Sequence, residues 1–246
     1  MDPSIGNRQL AIENIMKVIR LIGGMSWESS AEYYRIINET VRERLGGQHS
    51  AKSLMYSVDF HDIERLQHDG NWDKAGQEMI ACAQRLERGG ADFIVLCTNT
   101  MHKLAPAILA NVTIPLVHIA DATAARIQQA GLKRIGLLGT RFTMEEDFYK
   151  GRLIERYGLD VLVPEEAEAK TVHDVIYNEL CQGKIVDESK RQYLSIMKSL
   201  EQRGAEGFIL GCTEIGLLIK AEDSALPIFD TTRIHAEKAV ELALMD

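Results

Sequence analysis

The chain has 246 residues, of which 46% are hydrophobic and 26% charged, the composition of a globular protein with one large or two small domains. Its formal net charge of −8, with no basic patch or arm, argues against a nucleic-acid partner. No apolar run reaches the roughly 18 residues of a membrane span, and no His/Cys spacing suits zinc, so neither a membrane nor a metal is expected.

The opening residues, MDPSIGNRQLAIENIMK, lack the apolar centre of a signal peptide and the Arg/Ser richness of a transit peptide. Residues 1–17 read as an N-terminal extension of a cytoplasmic protein. The first strand is expected at Val18–Ile22 and leads into GGMSWES, where Met25, Ser26 and Trp27 are placed to line a cleft, with Trp27 equally readable as plain core. A long amphipathic segment follows and stops at Gly46-Gly47. A second strand at Ser53–Val58 precedes SVDFHDIERLQ, which contains Arg65 and Gln67. The helical stretch QEMIACAQRLERGG carries Cys82 and feeds a third strand, Phe93–Leu96, which ends in CTNTMH. His102 reads as a helix-surface residue. The later strands are expected at Ile114–Val117, Arg134–Leu138, Asp160–Val163, Gly207–Leu210 and Leu226–Phe229. Between the sixth and seventh, VHDVIYNELCQGK reads as a helix containing Cys181.

This alternation of short β-branched runs with helical segments predicts an α/β fold with parallel strands covered on both faces. Ligands of such sheets bind beyond the carboxyl ends of the strands. The four cysteines form no CxxC pair and read as free thiols, with Cys82 and Cys181 as small buried hydrophobes.

The chain repeats itself. RGGADFIVLCTNT answers RGAEGFILGCTEI, RLIGGMS answers IGLLGTRFT, and IPLVHIAD answers LPIFDTT. The offsets are 116 residues from Gly23 to Gly139, 114 from Gly90 to Gly204 and 112 from Pro115 to Pro227. Two copies of one α/β unit are expected to face each other across a shared cleft. The first lobe would comprise residues 18–119 with the last helix, 231–246, packed back on it; the second would be 120–230.

Small polar residues beside thiols at both strand ends suit polar ligand work. Main-chain N–H groups at following helix N-termini can hold a carboxylate, and their field lowers a nearby thiol's pKa. No phosphate-binding glycine loop, Ser nucleophile elbow or cofactor lysine motif is present, so no cofactor is expected. Two reactive groups across a cleft suit two-base proton transfer at an acidic carbon.

GADFIVLCTNTMH and GAEGFILGCTEIG, with GLLG-like first strands in each half, resemble the aspartate/glutamate racemase family, and the resemblance spans nearly the whole chain from Val18. GGMSWES, SVDFH, LCTNTMHK, HIADAT, LLGTRFTMEEDFY and GCTEIGLL are most similar to the bacterial broad-specificity or L-aspartate/glutamate-specific branch. The resemblance implies a cofactor-independent amino-acid racemase of two pseudo-symmetric lobes, commonly a homodimer, with one cysteine from each lobe at work.

That family's first motif reads Cys-Asn-Thr, and its in-register match here is Thr98-Asn99-Thr100. The repeat agrees: Gly90 to Thr98 and Gly204 to Cys212 are both eight residues, so Cys97 matches Gly211. Successive strand side chains point to opposite faces, so a slip of one residue turns the thiol away. The alternative aligns Cys97 with Cys212 and needs a one-residue bulge. A threonine hydroxyl is a far poorer base than a thiol, so Cys212 becomes the competent base. By resemblance it acts on the L-enantiomer, with Thr98 on the opposite face.

Asn99, Thr100, Thr213 and Glu214 flank the two strand ends and are expected to bind substrate, as is Thr140, the second-lobe counterpart of the Met25–Ser26 loop. His118 and Asp230 hold matched positions after Pro115 and Pro227, where they would orient the bases or bridge the lobes. Aspartate racemases that this chain resembles often carry an arginine after the second strand, which is missing here. Gln67 is the polar substitute, Arg65 a weaker one, and Lys170 or Lys184 could bring a charge from the second lobe. Aspartate and glutamate lead as substrates; a neutral polar amino acid such as homoserine, a malonate-type decarboxylase and a non-catalytic amino-acid-binding protein are the alternatives.

Overall fold

A computed structural model describes residues 16–90 and 92–245, so residues 1–15 of the expected extension lie outside the described residues. All eight expected strands are present: β1 (Ile19–Gly23), β2 (Ser53–Ser57), β3 (Phe93–Leu96), β4 (Leu116–Val117), β5 (Arg134–Gly139), β6 (Asp160–Leu162), β7 (Phe208–Gly211) and β8 (Ile228–Asp230). They form two four-stranded sheets with the same order, β2-β1-β3-β4 and β6-β5-β7-β8. Every pairing is parallel, so each connection is a crossover that places a helix on a sheet face. β4 is shorter than expected because Pro115, which has no N–H to give, stands just before it.

The helices are α1 (Trp27–Leu45), α2 (Phe60–His68), α3 (Trp72–Arg88), α4 (Ala105–Leu109), α5 (Ile119–Gln129), α6 (Arg141–Glu145), α7 (Lys150–Tyr157), α8 (Glu166–Asn178), α9 (Asp187–Gln202), α10 (Ile215–Leu218) and α11 (Thr231–Leu244). Strand alternation sorts the core of the first sheet into two layers. Ile19, Leu21, Phe93, Val95 and Cys97 pack with Tyr33, Ile36 and Ile37 of α1 and Ala236, Ala239, Val240 and Ala243 of α11. Ile22, Ile94 and Leu96 point the other way, onto Met79, Cys82 and Leu86 of α3. The alanine stripe of α11 lets this last helix lie close to β1 and α1. The second sheet is buried in one continuous cluster that includes Ile135, Leu137, Tyr193, Phe208 and Ile209.

The two sheets present their carboxyl ends to each other. At the first, Gly24 has a φ of 91°, and a Cβ there would lie 2.2 Å from the Val58 carbonyl oxygen. Only glycine lets the ends of β1 and β2 approach so closely, which sets the position of the Met25–Ser26 loop.

Candidate active site

The alternation of β3 fixes which side chain meets the cleft. Cys97 continues the Phe93–Val95 face and is fully buried in the α1–α11 layer. Beyond it the chain turns tightly, with the Thr98 N–H donating to the Leu96 carbonyl at 2.8 Å. Thr98 then lines a small cavity together with Cys212, Met25, Asn99, Gln67 and Glu214. At the matching position of the second lobe stands Gly211, where a Cβ would meet Leu137 at 2.7 Å. The position before the cavity-lining residue is thus filled differently after β3 and β7, with a buried thiol in one and no side chain in the other.

The cavity encloses only about 20 Å³, roughly the space of one water. It is closed by hydrogen bonds that run from lobe to lobe. The backbone N–H and hydroxyl of Ser26 donate to Glu214 Oε1 at 3.1 and 2.8 Å. The hydroxyls of Thr100 and Thr140 share a bond of 2.9 Å. Tyr177 donates to Gln67 Oε1 at 3.0 Å. Separately, Asn99 Nδ2 donates at 3.0 Å to Thr231 Oγ1 at the start of α11, the helix that packs on the first sheet.

Glu214 is the hub of the second-lobe side. Its Oε2 accepts from the Cys212 thiol at 3.0 Å and from Thr213 Oγ1 at 2.8 Å, while Oε1 takes the two Ser26 bonds. The expectation that a helix N-terminus lowers the thiol pKa is not met. α10, which follows Cys212, is a single four-residue turn, and Thr100–Leu104 is a 3₁₀ turn, so little dipole field is available. Burial, the Glu214 carboxylate and the neighbouring Cys181 instead push the Cys212 thiol well up. Burial likewise pushes Cys97 up. Asn99 Oδ1 is buried without a hydrogen-bond partner among the described residues, a free acceptor beside the cavity.

Several expected residues sit elsewhere. Lys170 projects from α8 into solvent and pairs with Asp174, four residues along the same helix. Lys184 bonds to Gln182 on the surface. Trp27 is 67% exposed because α1 turns its first residue outward from the Met25–Ser26 loop. Arg65 pairs with Asp62 and lines a separate groove of about 320 Å³ with Tyr56 and Asp59. Thr213 is buried, but its hydroxyl bonds to Glu214 rather than lining the cavity. His118 and Asp230 cap the N-termini of α5 and α11. His102 is not on a helix surface: it is 1% exposed and bonds to the Thr98 carbonyl.

Phe60, Ile176, Tyr177 and Cys181 line the cavity and were not expected there. Cys181 lies in a 3₁₀ turn, Leu180–Gln182, just beyond α8, and burial raises both its pKa and that of Tyr177. The spacing of Tyr177 and Cys181, one helical turn apart, was the available signal. Among the residues that line the cavity none is Lys, Arg or His.

Residues 22–239 match the sequence profile of the Asp/Glu/Hydantoin racemase family. The chain is 22% identical over 232 residues to the broad specificity amino-acid racemase RacX of Bacillus subtilis, covering 92% of this chain and 98% of that one. A crystal structure of a Yersinia pestis protein of the Asp/Glu racemase type superposes with a TM-score of 0.87 at 53% identity, covering 94% of this chain and 100% of the other. An aspartate racemase homologue from Pyrococcus horikoshii gives a TM-score of 0.80 at 37% identity, over 93% and 99% of the two chains.

Proposed function

Because the chain belongs to the Asp/Glu/hydantoin racemase family and is an isomerase of the amino-acid racemase type, we propose that Cys212 and Thr98 interconvert L- and D-enantiomers by two-base transfer of the α-proton. The observation that carries this reading is that Thr98 and Cys212, one from each lobe, line one cavity while Cys97 is turned into the core. The cleft lies between the lobes assigned as 18–119 plus 231–246 and 120–230.

An amino acid cannot enter a space of about 20 Å³, so binding requires the lobe-to-lobe bonds to open and reform around it. Asn99 Oδ1, free in the closed cavity, accepts from the substrate ammonium. The Thr100 and Thr140 hydroxyls, once parted, donate to the α-carboxylate. In the closed site the thiol proton rests on Cys212 and is directed at Glu214. A bound ammonium brings positive charge beside it and favours the thiolate, with Glu214 or water taking the proton. The thiolate removes the α-proton of the L-enantiomer, leaving a planar carbanion whose charge spreads onto the carboxylate. Thr98 delivers its hydroxyl proton to the opposite face and recovers one from water, and the thiol proton returns to solvent. No cofactor takes part. Enantiomers are equal in free energy, so kcat/KM is equal in the two directions, and a preference for L is confined to kcat and KM separately.

The names of the Yersinia pestis and Pyrococcus horikoshii relatives support aspartate and glutamate as the substrates of this chain. A second reading, homoserine, is favoured by the lack of a cationic side chain among the lining residues, where Gln67 and Tyr177 offer neutral hydrogen bonds. Resemblance also carries a homodimer, checked by light scattering. Chiral chromatography of L-aspartate, L-glutamate and L-homoserine tests the reaction: D-isomer appears with the wild type and is lost in Cys212→Ala. Retained inversion in that variant overturns the assignment.

A further inference from the structure

A weak acid such as a threonine hydroxyl has little tolerance for misplacement, so what aims Thr98 is part of the site. The Thr98 N–H is held by Leu96, as described above; its carbonyl is held from the other side by His102. His102 Nδ1 lies 2.6 Å from the Thr98 carbonyl oxygen, and its Nε2 lies 3.2 Å from the backbone nitrogen of Ile119, the first residue of α5. A backbone N–H can only donate, so Nε2 is the acceptor and the proton sits on Nδ1. One tautomer therefore satisfies both bonds, and the ring ties the end of β3 to the start of α5.

Its surroundings keep it in place. The His118 ring lies 4.6 Å from that of His102 and the His235 ring 5.7 Å. His235 is itself fixed by Tyr33 and by the Val117 carbonyl, each at 2.8 Å. Burial and the adjacent His118 hold the His102 imidazole neutral, and both its nitrogens are engaged with backbone, so it has no free lone pair or proton to offer substrate.

The internal repeat shows that this device belongs to the Thr98 side alone. The offset of 114 that pairs Thr98 with Cys212 pairs His102 with Gly216. There the Cys212 carbonyl accepts from the Ile215 backbone N–H at 3.1 Å, and the space a side chain would take is occupied by Asp230, 2.6 Å from a Cβ built on Gly216. The Cys212 carbonyl is held by a backbone N–H, with the Thr231 and Thr232 hydroxyls on the Leu210 and Thr213 carbonyls to either side; the Thr98 carbonyl is held by a buried imidazole.

We infer that His102 is a positioning residue for the second proton transfer: it holds the Thr98 carbonyl, and so the Thr98 hydroxyl, on the face opposite Cys212. The inference rests on the two-base reading above. Loss of His102 then leaves removal of the α-proton by Cys212 in place but impairs delivery on the other face. The carbanion is reprotonated from the Cys212 side, and exchange with solvent outruns inversion.

The test is the ratio of α-deuteration to D-isomer formation, measured on L-substrate in D2O for the wild type, His102→Asn and His102→Gln. An Asn amide can reproduce the donor of Nδ1; a Gln amide reaches the Nε2 position and does not. The expected result is a ratio near wild type for Asn and one raised about ten- to a hundredfold for Gln, the loss that a misplacement of roughly 1 Å brings, with melting temperatures of the two variants alike. A ratio unmoved in both folded variants, or moved equally in both, overturns the inference. Failure of both to fold also overturns it, because His102 would then serve the fold rather than the site. A wild type that neither exchanges nor inverts any substrate defeats the two-base reading itself, a separate outcome.

Discussion

Cys97 and Thr98 are adjacent, and their truncations should separate cleanly into stability and activity. In Cys97→Ala a sulfur atom is removed from a fully buried position among Ile19, Tyr33 and Val240. A lost group of about methylene size costs about 0.8 kcal/mol of transfer free energy. A residual cavity of about 20 Å³ at about 24 cal/mol per Å³ adds roughly 0.5 kcal/mol. The sum, about 1.3 kcal/mol, corresponds to a fall in Tm of roughly 3–5 °C for a chain of this size. Inversion should stay within about twofold of wild type, because the thiol does not reach the cavity and burial holds it protonated. Thr98→Ala should do the reverse. Thr98 lines the cavity rather than the packed core, so Tm should move little, while loss of the second acid should lower inversion by about 10²- to 10⁴-fold. Scanning calorimetry and chiral chromatography on the same preparations measure both quantities. Loss of inversion in Cys97→Ala with its Tm unchanged would mean that the thiol, not the hydroxyl, serves the site, and would refute the register argument.

Other perturbations probe other parts of the account. Glu214→Gln replaces one of the two carboxylate oxygens on which four donors converge with an NH2 donor and removes the charge, and should lower inversion by about a hundredfold and stability by about 1–3 kcal/mol; a variant of wild-type activity would remove Glu214 from the mechanism. Gln67→Arg adds a guanidinium to a cavity whose lining has no cation, and should raise kcat/KM for aspartate relative to homoserine by more than about tenfold, the value of one charge-assisted bond; an unchanged ratio would place side-chain recognition elsewhere. His118 and His235 are lowered to about 3 by burial. The unfolded chain therefore binds their protons near pH 6.5 and the folded chain does not. The stability they permit is complete above that pH and is lost as the pH falls from about 6.5 toward 3, at up to roughly 1.4 kcal/mol per pH unit from each in mid-window. Urea unfolding at pH 7, 5.5 and 4.5 reads this slope, and a flat profile over that range would contradict the neutral, buried assignment.

Much of the fold was legible in the sequence because period and repetition report it. β-branched runs alternating with amphipathic segments gave eight strands in their places, and the even spacing of the two halves anticipated two sheets with one strand order. The same period of two favours Thr98 over Cys97 at the cleft, with a one-residue bulge as the alternative, and the structure turns Cys97 into the α1–α11 layer. What the sequence hid were consequences of packing between segments far apart in the chain. His102 reads as a surface residue by its place in a helical turn, yet the start of α5 covers it. Cys181 reads as a buried helix residue, and only its spacing one turn from Tyr177 hints that the two share a side; that this side meets the cavity follows from packing against a distant segment. Lys170 was drawn into the site by the need for a cation, whereas its neighbour Asp174 satisfies it in solvent. The thiol pKa was expected to fall from a helix field, but the helix is one turn long and a buried carboxylate stands closer.

The central claim is that two groups on opposite faces of the α-carbon share the work. Proton NMR of L-aspartate, L-glutamate and L-homoserine in D2O, with chiral separation and mass analysis of the products, tests it most directly. Two-base transfer predicts that the D-product of at least one substrate carries deuterium at the α-carbon from the first turnover, because the delivered proton comes from Thr98 and solvent. A D-product that retains the original α-proton would mean that one group moves it across a single face-to-face path, and neither D-product nor α-deuteration in all three cases would mean that this site does not ionise an amino-acid α-carbon of that class.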